Sequence, residues 1–266
     1  MDSKIFYPNA HPETTSVDGF IQRGALLQTW AQLRDGVGTV SDSYLFANNG
    51  INFLSSNTSA KWEELERVII LFDTSSLLNL GNVIIRSVTL SLYGFITAGG
   101  TKNKQDDLGI APDVNVYSSN PASNTELVPA DYGALGTTPF CNTPITYANW
   151  KEGWNTFTLN ANGIAAISKT GITKFGLRNA NYDAANIEPS WSAHLQSYLF
   201  WYAADCGLAT APKLTVNYTS IRGLVPGATD IVTLEALRNI EMAVMGRIYV
   251  DEQGRLKYES RFARNL

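Results

Sequence analysis

The segment from residue 68 to residue 95, VIILFDTSSLLNLGNVIIRSVTLSLYGF, constrains the fold more than any other. It holds two apolar runs joined by a polar step rich in Ser, Asn and Gly. A bilayer-spanning helix needs about 20 consecutive apolar residues, and the step interrupts the run too early. Val68 to Phe72 and Val88 to Tyr93 are β-branched or aromatic at most positions and short, which is strand chemistry. In the second run Val88, Leu90 and Leu92 alternate with Thr89, Ser91 and Tyr93, the period of a sheet with one buried face.

The same punctuation repeats through most of the chain. Strands are predicted over Lys4–Tyr7, Gly19–Arg23, Tyr44–Ala47, Val68–Phe72, Val83–Gly94, Val114–Tyr117, Thr156–Leu159, Lys174–Arg178, Ser197–Tyr202 and Lys213–Tyr218. A short helical turn is predicted over Gly163 to Lys169, and the step between the two runs of the opening segment reads as connective. Many short strands with polar turns and no helical period between them predict an all-β fold, a jelly-roll β-sandwich over residues 1–219. A linker rich in Gly and Pro follows at 220–229. In residues 230–266, Leu234, Leu237, Ile240 and Val244 recur at helical spacing, and Gly246 stands where a helix would end. Ile248 and Val250 then answer Leu256 and Tyr258 across Asp251-Glu252-Gln253-Gly254, a β-hairpin pattern. So short a helix and hairpin cannot bury enough surface alone. They must pack on the sandwich or on another chain, and the appended position favours Leu234, Leu237, Ile240 and Val244 as an assembly surface between subunits.

Composition narrows the partners. Of 266 residues 44% are hydrophobic and 17% charged, enough to bury a sizeable core. The net charge of −4 argues against a nucleic-acid partner, which needs clustered Lys and Arg. No helix-length apolar run exists, so membrane insertion is not expected. The start, MDSKIFYPNAHPETT, lacks a secretion signal. Either a signal has been removed, or the protein is made in the cytosol and then joins a particle. Cys141 and Cys206 match no zinc or redox spacing. A disulfide between them, worth roughly 4 kcal/mol, and two free thiols are both open.

Family likenesses add to this reading. RVIILFDTSSL followed by the strand I-x-S-V-T-L-x-L-Y resembles the DNRLRE-type and family-96 carbohydrate-binding-module group of jelly rolls. VNVYSSNPA (114–122), WNTFTLNANGIAAI (154–167), FGLRNANYD (175–183) and APKLTVNYT (211–219) resemble later motifs of that group in the same order. The resemblance implies a sugar-holding sandwich over about residues 1–219. The tail GRIYVDEQGRLKYESR resembles segments of large phage tail and virion proteins, which implies assembly into a particle.

Signatures of catalysis are missing. The two histidines, His11 and His194, stand in no metal-ligand spacing, and there is no nucleophile elbow or phosphate loop. Asp106 and Asp107, in GGTKNKQDD, read as a solvated turn. Binding rests on aromatic residues, because an indole stacks on the apolar face of a sugar ring. Trp191 is the leading glycan-binding candidate, since NYDAANIEPSWSAH offers it little local apolar partner; Tyr182 lies in the same loop. For any single tryptophan the plainer reading is core filling or loop anchoring, and Trp154 and Trp201 are expected inside. No cofactor is expected, with calcium open: Asn179, Asn181 and Asp183, and the loop Asp35–Asp42, carry the oxygens a hard cation wants, although Asn and Asp also make ordinary turns. The leading expectation is a non-enzymatic structural and binding protein, virion- or surface-associated, that self-assembles into a homo-oligomer or particle and binds glycans. The alternative is a carbohydrate-binding module of a secreted polysaccharide-degrading system.

Overall fold

The computed structural model of the chain describes residues 2–44, 49–80, 82–96, 102–221, 246–250 and 256–260. Its strands are β1 (Asp2–Phe6), β2 (Asp18–Gln28), β3 (Val40–Asp42), β4 (Asn49–Ser55), β5 (Trp62–Asp73), β6 (Asn82–Gly94), β7 (Lys104–Asp106), β8 (Val114–Ser118), β9 (Gly153–Thr158), β10 (Ile172–Asn179), β11 (Gln196–Trp201), β12 (Lys213–Ile221), β13 (Gly246–Val250) and β14 (Leu256–Ser260). The helices are short: α1 (Trp30–Asp35), α2 (Ala161–Ala165) and a few single turns. All pairings are antiparallel, and the first unit, residues 1–221, is an all-β, sandwich-like fold.

β5 organises one side of it. Val68, Ile70 and Phe72 enter a core with Val88, Leu90 and Leu92 of β6, Leu214 and Val216 of β12, and Phe175 and Leu177 of β10. Leu65, Ile69 and Leu71 project the other way, into a second core with Trp30, Leu33, Phe53, Trp62 and Tyr132. Because both faces are covered, β5 is continuously apolar here instead of alternating. One edge of β5 pairs with β2, from Asp18↔Ile70 to Gly24↔Glu64. The other edge is shared, with β4 up to Asn52↔Glu66 and β10 from Leu177↔Val68 onward. β6 is shared in the same way. β9 follows one edge; on the other, β12 runs along Asn82 to Ser91 and β11 takes over at Gly94.

Arg67 stands where β5 changes partner, and its side chain is buried. Its guanidinium donates to both oxygens of Asp183, at 2.9 Å from Nε and 2.7 Å from Nη2. Arg178, near the end of β10, grips the same two oxygens at 2.8 and 2.6 Å. Arg67 also donates to the carbonyls of Tyr132 (2.7 Å) and Arg34 (2.8 Å), and stacks 3.9 Å above the Tyr132 ring. Asp183 is aimed by the turn that follows β10, in which Asn179 Oδ1 accepts from the Tyr182 and Asp183 N–H groups. Burial alone would raise the Asp183 carboxyl, but the two guanidiniums reverse this and hold it below the ordinary carboxylate range.

The second core closes over α1. Thr29 caps α1 by accepting from Gln32 N while the Gln32 side chain returns to Thr29 N, a capping box. Trp30 and Leu33 are thereby turned into the core. This helix, β3, β4, β7 and the first half of β5 are absent from the sequence reading. Residues 45–47 of the expected strand at Tyr44–Ala47 lie outside the described residues, and Tyr44 itself is not in a strand. The expected turn at Gly163–Lys169 overlaps α2 in part; the helix begins two residues earlier and ends four residues earlier, at Ala165.

The second unit comprises residues 222–266. β13 and β14 pair as the alternation predicts, Ile248 opposite Tyr258 and Val250 opposite Leu256. The expected helix, with Leu234, Leu237, Ile240 and Val244, and residues 222–229 of the expected linker lie outside the described residues.

Replacing Asp183 with Ala strands two buried guanidiniums, a loss of roughly 3–5 kcal/mol. Chemical denaturation of Asp183→Ala against the parent at pH 7 measures it. Because the folded Asp183 carboxyl is depressed, its contribution is present above the unfolded carboxylate range and is lost as pH falls through it. The gap between parent and variant therefore narrows in acid.

Candidate aromatic binding surface

An aromatic surface forms where β11 meets β6. Trp201 lies opposite Gly94, and Gly94 opposite Gly153 of β9. Trp201 is buried and packs on Trp150, ring centroids 5.6 Å apart. A side chain at Gly94 would strike the Lys151 carbonyl oxygen at 2.1 Å, so the close approach of the chains requires glycine there. With Trp201 pointing inward, its neighbours Phe200 and Tyr202 point the other way. So do Tyr93 and Phe95, tied across by Tyr202 N to Tyr93 O at 3.0 Å and Phe95 N to Phe200 O at 3.1 Å.

These residues make a band of half-buried rings. Trp154 stands edge-on to Tyr93 at 5.0 Å, Tyr93 lies 6.0 Å from Tyr202, and Tyr202 lies 5.0 Å from Phe95. Lys213 Nζ sits 3.6 Å over the Trp154 ring at one end. Toward the other end Phe200 stacks on Tyr198 at 4.2 Å and lies so close over Gly50 that a Cβ there would be 2.3 Å from its ring.

A polar row continues from the band. The register sets Tyr198, Asn52, Glu66 and Gln22 side by side across four strands. Gln196 Nε2 donates to Asn52 Oδ1 at 3.0 Å, Asn52 Nδ2 donates to Glu64, and the Tyr198 hydroxyl bonds Gln105 at 3.1 Å. Burial pushes the Glu66 carboxyl well above its usual range, and its Oε1 is buried with no hydrogen-bond partner among the described residues. Burial also raises Glu64. Rings that offer flat apolar faces beside amides and carboxyls suit a ligand that is apolar on one face and hydroxylated at its edge.

The structure assigns other work to the residues expected from sequence. Trp191 is a loop anchor: half-buried against the second core, with Nε1 donating to Lys61 O at 2.9 Å. Tyr182 packs edge-on to Phe53 at 6.3 Å, and its hydroxyl donates to Ile110 O at 2.9 Å. Apolar partners that lie far away in sequence, which the local reading of the loop could not supply, hold both. Trp201 is inside as expected, whereas Trp154 is not; it belongs to the band. Cys141 and Cys206 are free thiols, so the disulfide alternative is corrected; burial lifts Cys141 to about 12 and Cys206 to about 11. Both Asp183 oxygens are taken by guanidiniums, and Asn181 Oδ1 accepts from Asn179 and from Asp113 N. That loop therefore does not offer the free oxygens of a calcium site. Among the described residues no three His, Cys, Asp or Glu side chains gather to hold a metal ion. Asp106 is a loop organiser, not a solvated turn residue: its carboxylate accepts from Ile110 N, Ala111 N and, at 2.6 Å, the Ser197 hydroxyl.

Asp18 is a buried titratable group of another kind. It accepts from Asn49 Nδ2 and Ala204 N, both at 3.1 Å, and no cation pairs with it among the described residues. Desolvation lifts its carboxyl to about 7, with Asp205 and Glu13 adding to the rise and the bonds from Ala204 and Asn49 opposing it.

No protein-family model matches this chain, and no curated protein matches it.

Asp18 predicts a pH dependence of stability. The folded carboxyl lies near 7 and the unfolded one near 3.8, so the folded state holds the extra proton between those values. Stability therefore falls as pH rises from about 4 to about 7 and then levels, by roughly 4 kcal/mol in all. Urea unfolding across that range detects the fall, and in Asp18→Asn this part of the slope is lost.

Proposed function

We propose that this protein is a non-catalytic structural and binding module that holds a glycan chain on the aromatic band at the β6–β11 junction. The carrying observation is the band itself: Trp154, Tyr93, Tyr202 and Phe95 form a run of partly buried rings in contact. Buried aromatics fill cores, whereas a surface run of them across three strands places flat apolar area where a ligand can reach it. The carboxyl and amide groups of Glu64 and Gln196, held in place through Asn52, can order a polyhydroxyl ligand by hydrogen bonds. The resemblance of residues 1–219 to carbohydrate-binding jelly rolls supports the same reading, although the surface used differs from the Trp191 loop. As an isolated element, a two-stranded hairpin such as β13–β14 is marginal in water. Its register sets Ile248 opposite Tyr258 and Val250 opposite Leu256, an apolar pairing that supports assembly with further copies of the chain, as in a virion or surface particle.

Polysaccharide affinity electrophoresis and a glycan array test the binding. At least one polysaccharide retards the parent, and Trp154→Ala with Tyr202→Ala weakens binding by about tenfold or more. Trp191→Ala loses stability without a specific loss of binding by correctly folded protein. A blank array, or retention unchanged in the band variant, sinks the reading. Assembly is checked separately by light scattering: the full chain has the mass of an oligomer, and deletion of residues 222–266 returns the mass of one chain.

A further inference from the structure

A polar concavity lies where the end of β5 meets the start of β10, and no residue of the aromatic band lines it. It is an open cleft of about 520 Å³ lined by Thr14, Thr15, Asp73, Ser75, Asn124 and Ile172 among others. We propose that this cleft is a separate binding site for a small neutral polyhydroxyl ligand of the hexose class.

The cleft is pre-formed. Thr74, fully buried beneath it, bonds the carbonyls of Ser168 (2.7 Å) and Gly171 (3.0 Å) and the Thr173 hydroxyl (2.7 Å), locking the end of β5 to the start of β10. One oxygen, Asn9 Oδ1, gathers the N–H groups of Thr14, Thr15 and Ser16 at 3.3, 2.8 and 3.0 Å, fixing the opposite rim. Little ordering remains for a ligand to impose, which favours binding.

Its hydrogen-bonding groups both give and take. The hydroxyl of Ser75 donates to Asp73 at 2.6 Å, whereas the Thr14 and Thr15 hydroxyls lie 3.2 and 3.0 Å from an Asn9 Oδ1 whose lone pairs the three N–H groups already occupy. Those two hydroxyls can therefore donate as well as accept, while Ser75 has lone pairs left to offer. Asp73 adds a carboxylate that bonds from the Ser75 side chain keep ionised, below its ordinary range. The cleft therefore suits a ligand whose groups both donate and accept, as the hydroxyls of a sugar do. No Lys or Arg lines it, so nothing there compensates an anion. Its volume falls in the range of about 300–1,000 Å³ typical of small-molecule sites, far more than one ion fills. Ile172, opposite Asp73 in the register, supplies an aliphatic patch for the C–H face of a sugar ring.

Saturation-transfer NMR of the full chain with D-glucose, D-galactose, D-mannose and L-fucose tests the site, followed by calorimetry with whichever sugar responds. At least one sugar receives saturation. Asp73→Asn, which keeps an acceptor for Ser75, weakens it by about tenfold, the loss of one charge-assisted bond. Asn124→Ala, on the exposed rim, weakens it severalfold, and serves alone if Asp73→Asn does not fold. The Trp154→Ala, Tyr202→Ala variant binds the sugar as the parent does, which separates this site from the aromatic band. No transfer to any of the four sugars overturns the proposal. So does parent-like affinity in the folded cleft variants, a loss confined to the band variant, or displacement of the sugar by Ca²⁺ or methylammonium, which would mark a cation site.

Discussion

The grip of Arg67 and Arg178 on Asp183 is the interaction on which the rest of the first unit depends. A long strand cannot pass from one neighbour to another without leaving a gap in its hydrogen-bonded edge. At that gap β5 presents Arg67, whose donors span the break and tie down carbonyls at Arg34 and Tyr132. A single carboxylate thus joins β5, β10 and the turn after β10, while the backbone carbonyls that Arg67 reaches anchor α1 and the loop at Tyr132. An apolar plug of the same size would fill the space without fixing the angle between the strands; a fork of donors does both.

With the handover secured, the two cores have complementary duties. The first sits between β5 with β10 and β6 with β12, and makes the sandwich. The second lies on the other face of β5 and is finished by loops and α1. The second core is why so many aromatics have structural work, Trp30 of α1, Trp62 of β5, and Trp191 and Tyr182 in the segment after β10 among them. The aromatic band proposed for binding lies where β11 joins β6, because there the inward Trp201 turns its neighbours outward.

Much of the fold was legible in the chain. Alternation at Val88–Tyr93 and the β-branched run at Val68–Phe72 mark core strands, and the pattern of Ile248, Val250, Leu256 and Tyr258 foretells the hairpin pairing. The strand β4, NGINFLS, escaped because it mixes polar and apolar residues and has Gly in second place; α1 escaped because six residues are too few for a helical period, although the Thr29–Gln32 cap was there to be seen. The site was less legible. Trp191 looked unpartnered only because its partners, Lys61 and the second core, are distant in sequence. The band is spread over Tyr93, Trp154 and Tyr202, and only the register of three strands brings them together. A clue was present in the Tyr93-Gly94-Phe95 and Phe200-Trp201-Tyr202 triplets, each with aromatic residues flanking a central position.

The chain separation between Arg67 and Asp183 bears on how the protein is made. These partners lie 116 positions apart. On a ribosome, VIILF would emerge long before the carboxylate that secures its strand, with apolar side chains on both faces and neither core complete. Such a segment is adhesive toward its own kind. Output of native protein should therefore hinge on holding that stretch apart until translation has passed β10.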